Sequence, residues 1–475
     1  MFREEYGLAV PGFTEHKPEW HEVKEPYSGN VMGKVELLSE EGLNAALDIA
    51  GAASARHALA PYERARILKA VSQAIAERAE HFALLIAREG GKPLQDARVE
   101  VERASQTLLL CAQEATRNSG REIPMGSTPR SHGRLAMTTR EPIGAVLAFS
   151  AFNHPLNLLA HQVGPAVAAG CPVLIKPAPA TPTCCMALVE LFREAGLPDE
   201  LLIPIPCTNE QAAQLASDSR MALFSFIGSS KVGWKLRSTL APGVRCVLEH
   251  GGAAPVIVHE DADLSKVVPA LLRGGYYHAG QVCVSVQRVF AHHQIKRELV
   301  ERLNEGAAQL IVGDPTDEKT QVGPLIRAQE IERINAWAGE ADKQGGEITC
   351  GGRGLANQCY SPTVIVDAPG STKVMNEEIF GPVICVNGYR KIEEPIQWSN
   401  RLPWAFQAGV FTNSLNIGLA VSKELAAAAV MINDHSAFRI DSMPFGGHGE
   451  SGLTLGGVAD AVKEMSREKM IVFKS

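Results

Sequence analysis

The chain has 475 residues, 45% of them hydrophobic and 21% charged, with a formal net charge of -7. That length predicts two or three structural units with a sizeable interior, and the acidic balance excludes a basic nucleic-acid surface. No stretch approaches the ~20 apolar residues that cross a bilayer, and Met1–Tyr6 lacks a signal peptide's basic then apolar run, so the expectation is a cytoplasmic protein with no membrane partner.

Apolar residues recur at three- and four-residue steps from Ser39 to about Arg117, which predicts three helices. Ser39 with Glu40 and Glu41 caps the first, Pro61 with Glu63 opens the second, and Gly90-Gly91-Lys92-Pro93 ends it. From Arg121 to Glu141 the chain is turn-rich, with Pro124, Gly126, Pro129 and Gly133, and reads as an excursion from the first unit.

From Gly144 strands and helices alternate, the mark of a parallel sheet covered on both faces. The apolar run Gly144–Phe149, a helix from Leu156 to Ala169, a strand at Val173–Ile175, a helix from Thr181-Pro182 to Ala195 and a strand at Ala222–Phe226 follow in turn. The turn Gly228-Ser229-Ser230-Lys231-Val232-Gly233 then puts a glycine and free N–H groups at a helix start, suited to a pyrophosphate; an ordinary loop has the same spacing. A second α/β unit begins near Gly252, with a strand at Val256–Val258 and a helix from Leu264.

Just after that helix comes Gly280-Gln281-Val282-Cys283, one thiol among small and polar residues before an apolar alternating segment. Cys283 is the candidate nucleophile, provided that a base, a helix N-terminus or backbone N–H groups raise its thiolate fraction; a buried core cysteine is the other reading. Gly280 has no side chain to block whatever Cys283 attacks. The ten cysteines are irregularly spaced, which predicts reduced thiols. Without Cys-x-x-Cys pairs no metal site is expected, and His292-His293 reads as packing.

Gly-Gln-x-Cys followed by Arg288 resembles the signature of the aldehyde dehydrogenase superfamily, and further segments fit that family in the same order. The resemblance implies an α/β fold with a Rossmann-like cofactor domain (1-120 and 142-250), an α/β catalytic domain (251-442) and a β oligomerisation arm (121-141 and 455-475). In that arm Lys469–Phe473 is the partner strand, against a frayed tail as the alternative. It implies an enzyme, a homodimer or homotetramer, that uses NAD or NADP to oxidise a small aldehyde through a cysteine thiohemiacetal and a thioester.

The resemblance also assigns roles. Asn153 in Phe152-Asn153-His154-Pro155 matches the oxyanion asparagine, and Glu249 in Glu249-His250-Gly251-Gly252 matches the general base. His250 stands where leucine is usual and either tunes the base or packs. Lys176 in Lys176-Pro177-Ala178-Pro179 matches the ribose-binding lysine, but Pro179 replaces the glutamate that repels a 2′-phosphate, which opens the choice between NAD and NADP. Gly228, Ser229 and Val232 fall at the pyrophosphate, and Glu378 and Phe380 in Glu377-Glu378-Ile379-Phe380-Gly381-Pro382 at the nicotinamide ribose. Arg103, His154 and Arg439 are candidate substrate residues. A guanidinium suits a phosphate or carboxylate tail, although Arg439 could instead pair with Asp441. Glu249 favours hydrolysis over acyl transfer to coenzyme A; a non-catalytic protein that keeps the fold is a further alternative.

Overall fold

The structure, a computed structural model, describes residues 5–8, 10–55 and 59–474; Met1–Glu4, on which the reading of the N-terminus partly rests, lie outside the described residues. Among the described residues no helix is long and apolar enough to cross a membrane. Before Ser39, where the sequence offered no element, Glu5–Tyr6, Glu19–Lys24 and Val31–Leu37 form a small sheet.

Four helices follow where three were expected: Glu40–Ala55, Pro61–Glu77, Ala79–Gly90 and Leu94–Arg117. The expected second helix divides at Arg78, whose φ of -110° and ψ of 26° leave the helical region. No glycine or proline marks that break. The next end is as expected, with Gly91 left-handed at φ 70°.

The first large sheet has six strands in the order Gly452–Leu453, Arg245–Glu249, Leu223–Ile227, Val146–Phe149, Val173–Lys176 and Leu202–Pro204. All pairs are parallel except at the edge, where Gly452–Leu453 runs antiparallel to Arg245–Glu249. Period-two alternation splits each strand between two cores. Val146, Ala148, Val173 and Ile175 face the core built on the helices from Pro61 onward, and Leu147, Phe149 and Leu174 face the one built on Leu43, Ala46 and Leu47. Because the strands are parallel, the residues after Phe149, Lys176, Ile227 and Glu249 emerge at one edge, where open α/β sheets hold ligands.

The second large sheet has seven strands, with Ala254–Val258, Val286–His292 and Val383–Tyr389 adjacent near its centre and a core of its own. A third sheet joins Arg134–Pro142 to Ser466–Lys474, antiparallel over their full length, with Glu122–Ile123 at its edge. Helix Val458–Glu464 packs on the first core through Val458 and Val462.

Candidate active site

Helix Leu264–Tyr276 is followed by the tight turn Tyr277–Gly280, in which His278 (φ 48°), Ala279 (φ 53°) and Gly280 (φ 70°) are all left-handed. Two side-chain-bearing residues in that region are strained, and such strain persists only where the surroundings over-determine it. Gln281 does so here. Its amide Nε2 donates to the carbonyls of His278 and Pro324, each at 3.3 Å, and its Oε1 accepts from Ile326 N–H at 3.0 Å. Gly280 serves a different purpose from the one expected: a Cβ there would lie 2.1 Å from the carbonyl oxygen of Gly381, so the glycine admits the Glu377–Pro382 backbone rather than substrate. Cys283 then sits in a turn before strand Val286–His292 and not at a helix N-terminus.

All twelve predicted site residues line one cavity of about 1380 Å³. At its centre, Asn153 follows the strand Val146–Phe149 and its Nδ2 donates to the Gln281 carbonyl at 2.9 Å, which ties the carboxamide to the segment carrying Cys283. Glu249 ends its strand with its carboxyl against Gly456, where a Cβ would come within 2.5 Å of Oε1. Glu378 reaches over Gly251-Gly252 and accepts from the Gly252 N–H at 3.2 Å. A side chain at 251 would overlap that carboxylate, since its Cβ would fall 1.6 Å from Oε1. Phe380, at φ 43°, meets Phe152 edge-on with ring centroids 5.9 Å apart.

Burial dominates the electrostatics. It pushes the Cys283 thiol up to about 12; the Arg439 guanidinium opposes that shift, and Glu378 and Glu249 reinforce it. Burial also raises the Glu249 carboxyl, against Arg439, and takes Glu378 to about 8 against the Gly252 N–H. Burial thus favours the neutral form of the thiol and of both carboxyls.

At the other side of Cys283 the cationic residues divide unequally. Asp441 does not pair with Arg439, as the sequence had allowed. It accepts from Arg103 Nε at 3.0 Å and Nη2 at 2.9 Å and from Asn157 Nδ2 at 3.1 Å, and lies 2.8 Å from His161 Nε2. Burial works against the Asp441 charge, but the bonds from His161 and Arg103 outweigh it and hold the carboxyl well below the usual range. Arg439 lies face-on to the Phe445 ring, 3.5 Å from its centroid, with Nη2 3.2 Å from His161 and a buried Nε that has no partner among the described residues. His154 stacks on Tyr277 with centroids 5.9 Å apart and is kept neutral by burial. Sequence reasoning missed His161 and Asn157, which lie on one helix with no motif to mark them.

At the far end, Lys176 is buried and its ammonium is destabilised by burial. Beside it the Pro179 carbonyl meets His21 Nε2 at 2.7 Å, which brings the unforeseen N-terminal sheet to this corner. Helix Ser230–Arg237 starts at Ser229, whose side chain makes no cap bond, leaving the first N–H groups facing the cavity end. His250 Nδ1 lies 2.9 Å from the Gly228 carbonyl, with its ring near Phe226 and Trp234, so it packs the turn onto the strand end. Arg288 donates to the carbonyls of Ala253 and Trp398, which ties the strand to its neighbours. His292 packs on His293 and Tyr389.

The family model described as "Aldehyde dehydrogenase family" matches residues 13–471. The 3-sulfolactaldehyde dehydrogenase of Priestia aryabhattai is 38% identical over 474 residues, covering 98% of each chain. Aldehyde dehydrogenase 21 from Physcomitrella patens, solved in complex with the reaction product succinate, superposes with a TM-score of 0.96 at 33% identity, covering 100% of this chain and 99% of that one. The glyceraldehyde-3-phosphate dehydrogenase GapN of Methanocaldococcus jannaschii, complexed with NADP, superposes with a TM-score of 0.92 at 34% identity over 97% of this chain and 100% of its own.

Proposed function

Because the chain belongs to the aldehyde dehydrogenase family, we propose that it uses NAD or NADP to oxidise a small aldehyde with an anionic or hydroxylated tail to its carboxylic acid. One observation carries this reading: a single cavity is lined by Cys283, Asn153 and Glu249 in the middle, Lys176 and the Gly228 turn at one end and Arg439 at the other.

The residues present fit a dinucleotide. The cavity follows the carboxyl ends of a parallel sheet, meets uncapped N–H groups at Ser230, and has Lys176 at one ribose position and Glu378 at the other. When bound, NAD or NADP supplies the hydride acceptor that converts the Cys283 adduct to a thioester. With proline at 179, no carboxylate from that position opposes a 2′-phosphate, which supports acceptance of NADP.

Cys283 Sγ forms the bond to the aldehyde carbon, and its own proton leaves to solvent through a buried carboxyl, Glu249 being the one suited to relay it. The developing oxyanion is met by the Asn153 N–H that Gln281 leaves free and by the Cys283 backbone N–H. Glu249 then takes a proton from the water that cleaves the thioester. Its place in the cavity favours a free acid over transfer to coenzyme A.

Arg439 is the anchor for an anionic tail. Arg103 already faces Asp441 across two hydrogen bonds, whereas the Arg439 Nε is buried without a partner among the described residues. The names of the relatives, sulfolactaldehyde on one hand and succinate as product on the other, support a tail of this kind. We assign self-association to the third sheet, where Leu135, Met137, Met470, Val472 and Phe473 are all exposed.

Rapid mixing with both cofactors and a panel of small aldehydes, with and without a sulfonate, carboxylate or phosphate tail, tests the reading. A burst of reduced nicotinamide near one per site is expected. Glu249→Gln should still reach that burst amplitude, though more slowly, and lose turnover by roughly 10²–10⁴-fold. Arg439→Leu should raise KM for tailed substrates alone. Absence of a burst sinks the covalent route, and equal effects on tailed and untailed substrates sink the anion anchor.

A further inference from the structure

A second, smaller cavity of about 20 Å³ also ends on Cys283. Of its lining residues, Cys283 alone also lines the large cavity. Its walls are Gly252–Pro255 and Trp404–Gln407, and it reaches the surface at Asn400 and Ala426, both exposed. A space of this size holds one water, since ~10–15 Å³ is enough.

The polar group in its wall is Gln407, the first residue of strand Gln407–Phe411. It is 3% exposed, and neither its Nε2 nor its Oε1 has a hydrogen-bond partner among the described residues. A buried carboxamide with no partner on either side is costly to keep, and no nearby protein group relieves it. Water does, by accepting from Nε2 and donating to Oε1. Ser399, in the same wall, donates to the Pro395 carbonyl at 2.6 Å and keeps lone pairs for the same molecule. Two or three polar partners are what a buried water requires.

We infer that Gln407 holds a water behind Cys283 and that this cavity is the inlet for the water that hydrolyses the thioester. The inference rests on the thioester route proposed above. Each turnover consumes one water: its oxygen bonds to the acyl carbon, the carbon–sulfur bond breaks, one proton returns to sulfur and another leaves with the acid. During that step substrate and cofactor share the large cavity and exclude solvent from it. The small cavity reaches Cys283 without passing through the large one. Gln407 is a positioning residue in this scheme, because it orients water and does not itself exchange a proton.

The test separates acylation from deacylation. Gln407→Met keeps the side-chain volume and removes both polar partners. The burst of reduced nicotinamide should be unchanged, while steady-state turnover falls about ten-fold, the loss expected when one hydrogen bond to the attacking water goes. Ala427→Leu, which narrows the outer part of the cavity without altering Gln407, should give the same split. A high-resolution crystal structure of the unaltered protein should show an ordered water on Gln407 that is lost in Gln407→Met. Wild-type turnover in both variants overturns the inlet, and so does a burst that falls in step with turnover. A wild-type enzyme with no burst at all overturns the thioester route itself, and the inlet with it.

Discussion

Cys283 is placed among charges that disagree. Burial and two carboxyls keep its proton on, and Arg439, with a lesser backbone hydrogen bond at Cys283 itself, pulls the other way. Because the folded-state value is raised to about 12, the thiolate is scarce at pH 7 and its fraction grows about ten-fold per pH unit. Iodoacetamide should therefore alkylate Cys283 in the free enzyme at a rate that climbs about ten-fold per unit between pH 7 and 9, and more slowly at every pH in Arg439→Met. A plateau below pH 8, measured by mass spectrometry of the labelled peptide, would show a thiolate already stabilised at rest. At this scale the convergence of residues was legible where a motif fixes both residue type and spacing, as at Asn153, Glu249 and Cys283, which line one cavity. It was not legible where the partner lies far along the chain. Nothing near Asp441 in the sequence says that it belongs to Arg103 and His161 and leaves the Arg439 Nε without a partner among the described residues.

The elements that hold these residues depend on polar contacts in the interior. Lys92 and Glu100 form a fully buried ion pair, and the second oxygen of Glu100 accepts from the N–H groups of Leu156 (2.9 Å) and Asn157 (3.1 Å). Those bonds start the helix Asn157–Ala169 directly after the Asn153 turn, so one carboxylate connects helix Leu94–Arg117 to the proposed oxyanion site. Glu100→Gln keeps the shape and leaves the Lys92 charge buried without its counterion. Urea unfolding should register a loss of about 3 kcal/mol. A loss under about 1 kcal/mol would mean that desolvation already cancels the pair. Sequence periodicity found this helix but not its polar contacts, because a helix's apolar stripe reveals what it packs against and not which polar residues face a cavity. It likewise ran two helices into one at Arg78, where no breaker residue stands, and gave no strand to residues before Leu38.

Across the whole molecule, alternation of apolar runs with helical stretches announced the two parallel sheets, since strands buried on both faces need such runs. The antiparallel edge strand Gly452–Leu453 escaped notice because two residues carry no period. That short strand, with helix Val458–Glu464 and strand Ser466–Lys474, brings the end of the described chain back onto elements from the first third and middle of the sequence. Translation therefore delivers the six-stranded sheet unfinished: its border, part of its core lining and the mate of Arg134–Pro142 emerge only after the whole seven-stranded unit has been made. Such distant closure is slow, and the waiting intermediate exposes unpaired edges. A chain stopped before Gly452 should fail to give a cooperative thermal transition for the 39–250 region and should be cut there by protease, although no residue of that region is altered. Melting at the full-length temperature would refute this. The segment from Gly452 to Lys474 thus acts as a clasp across elements made far earlier in the chain.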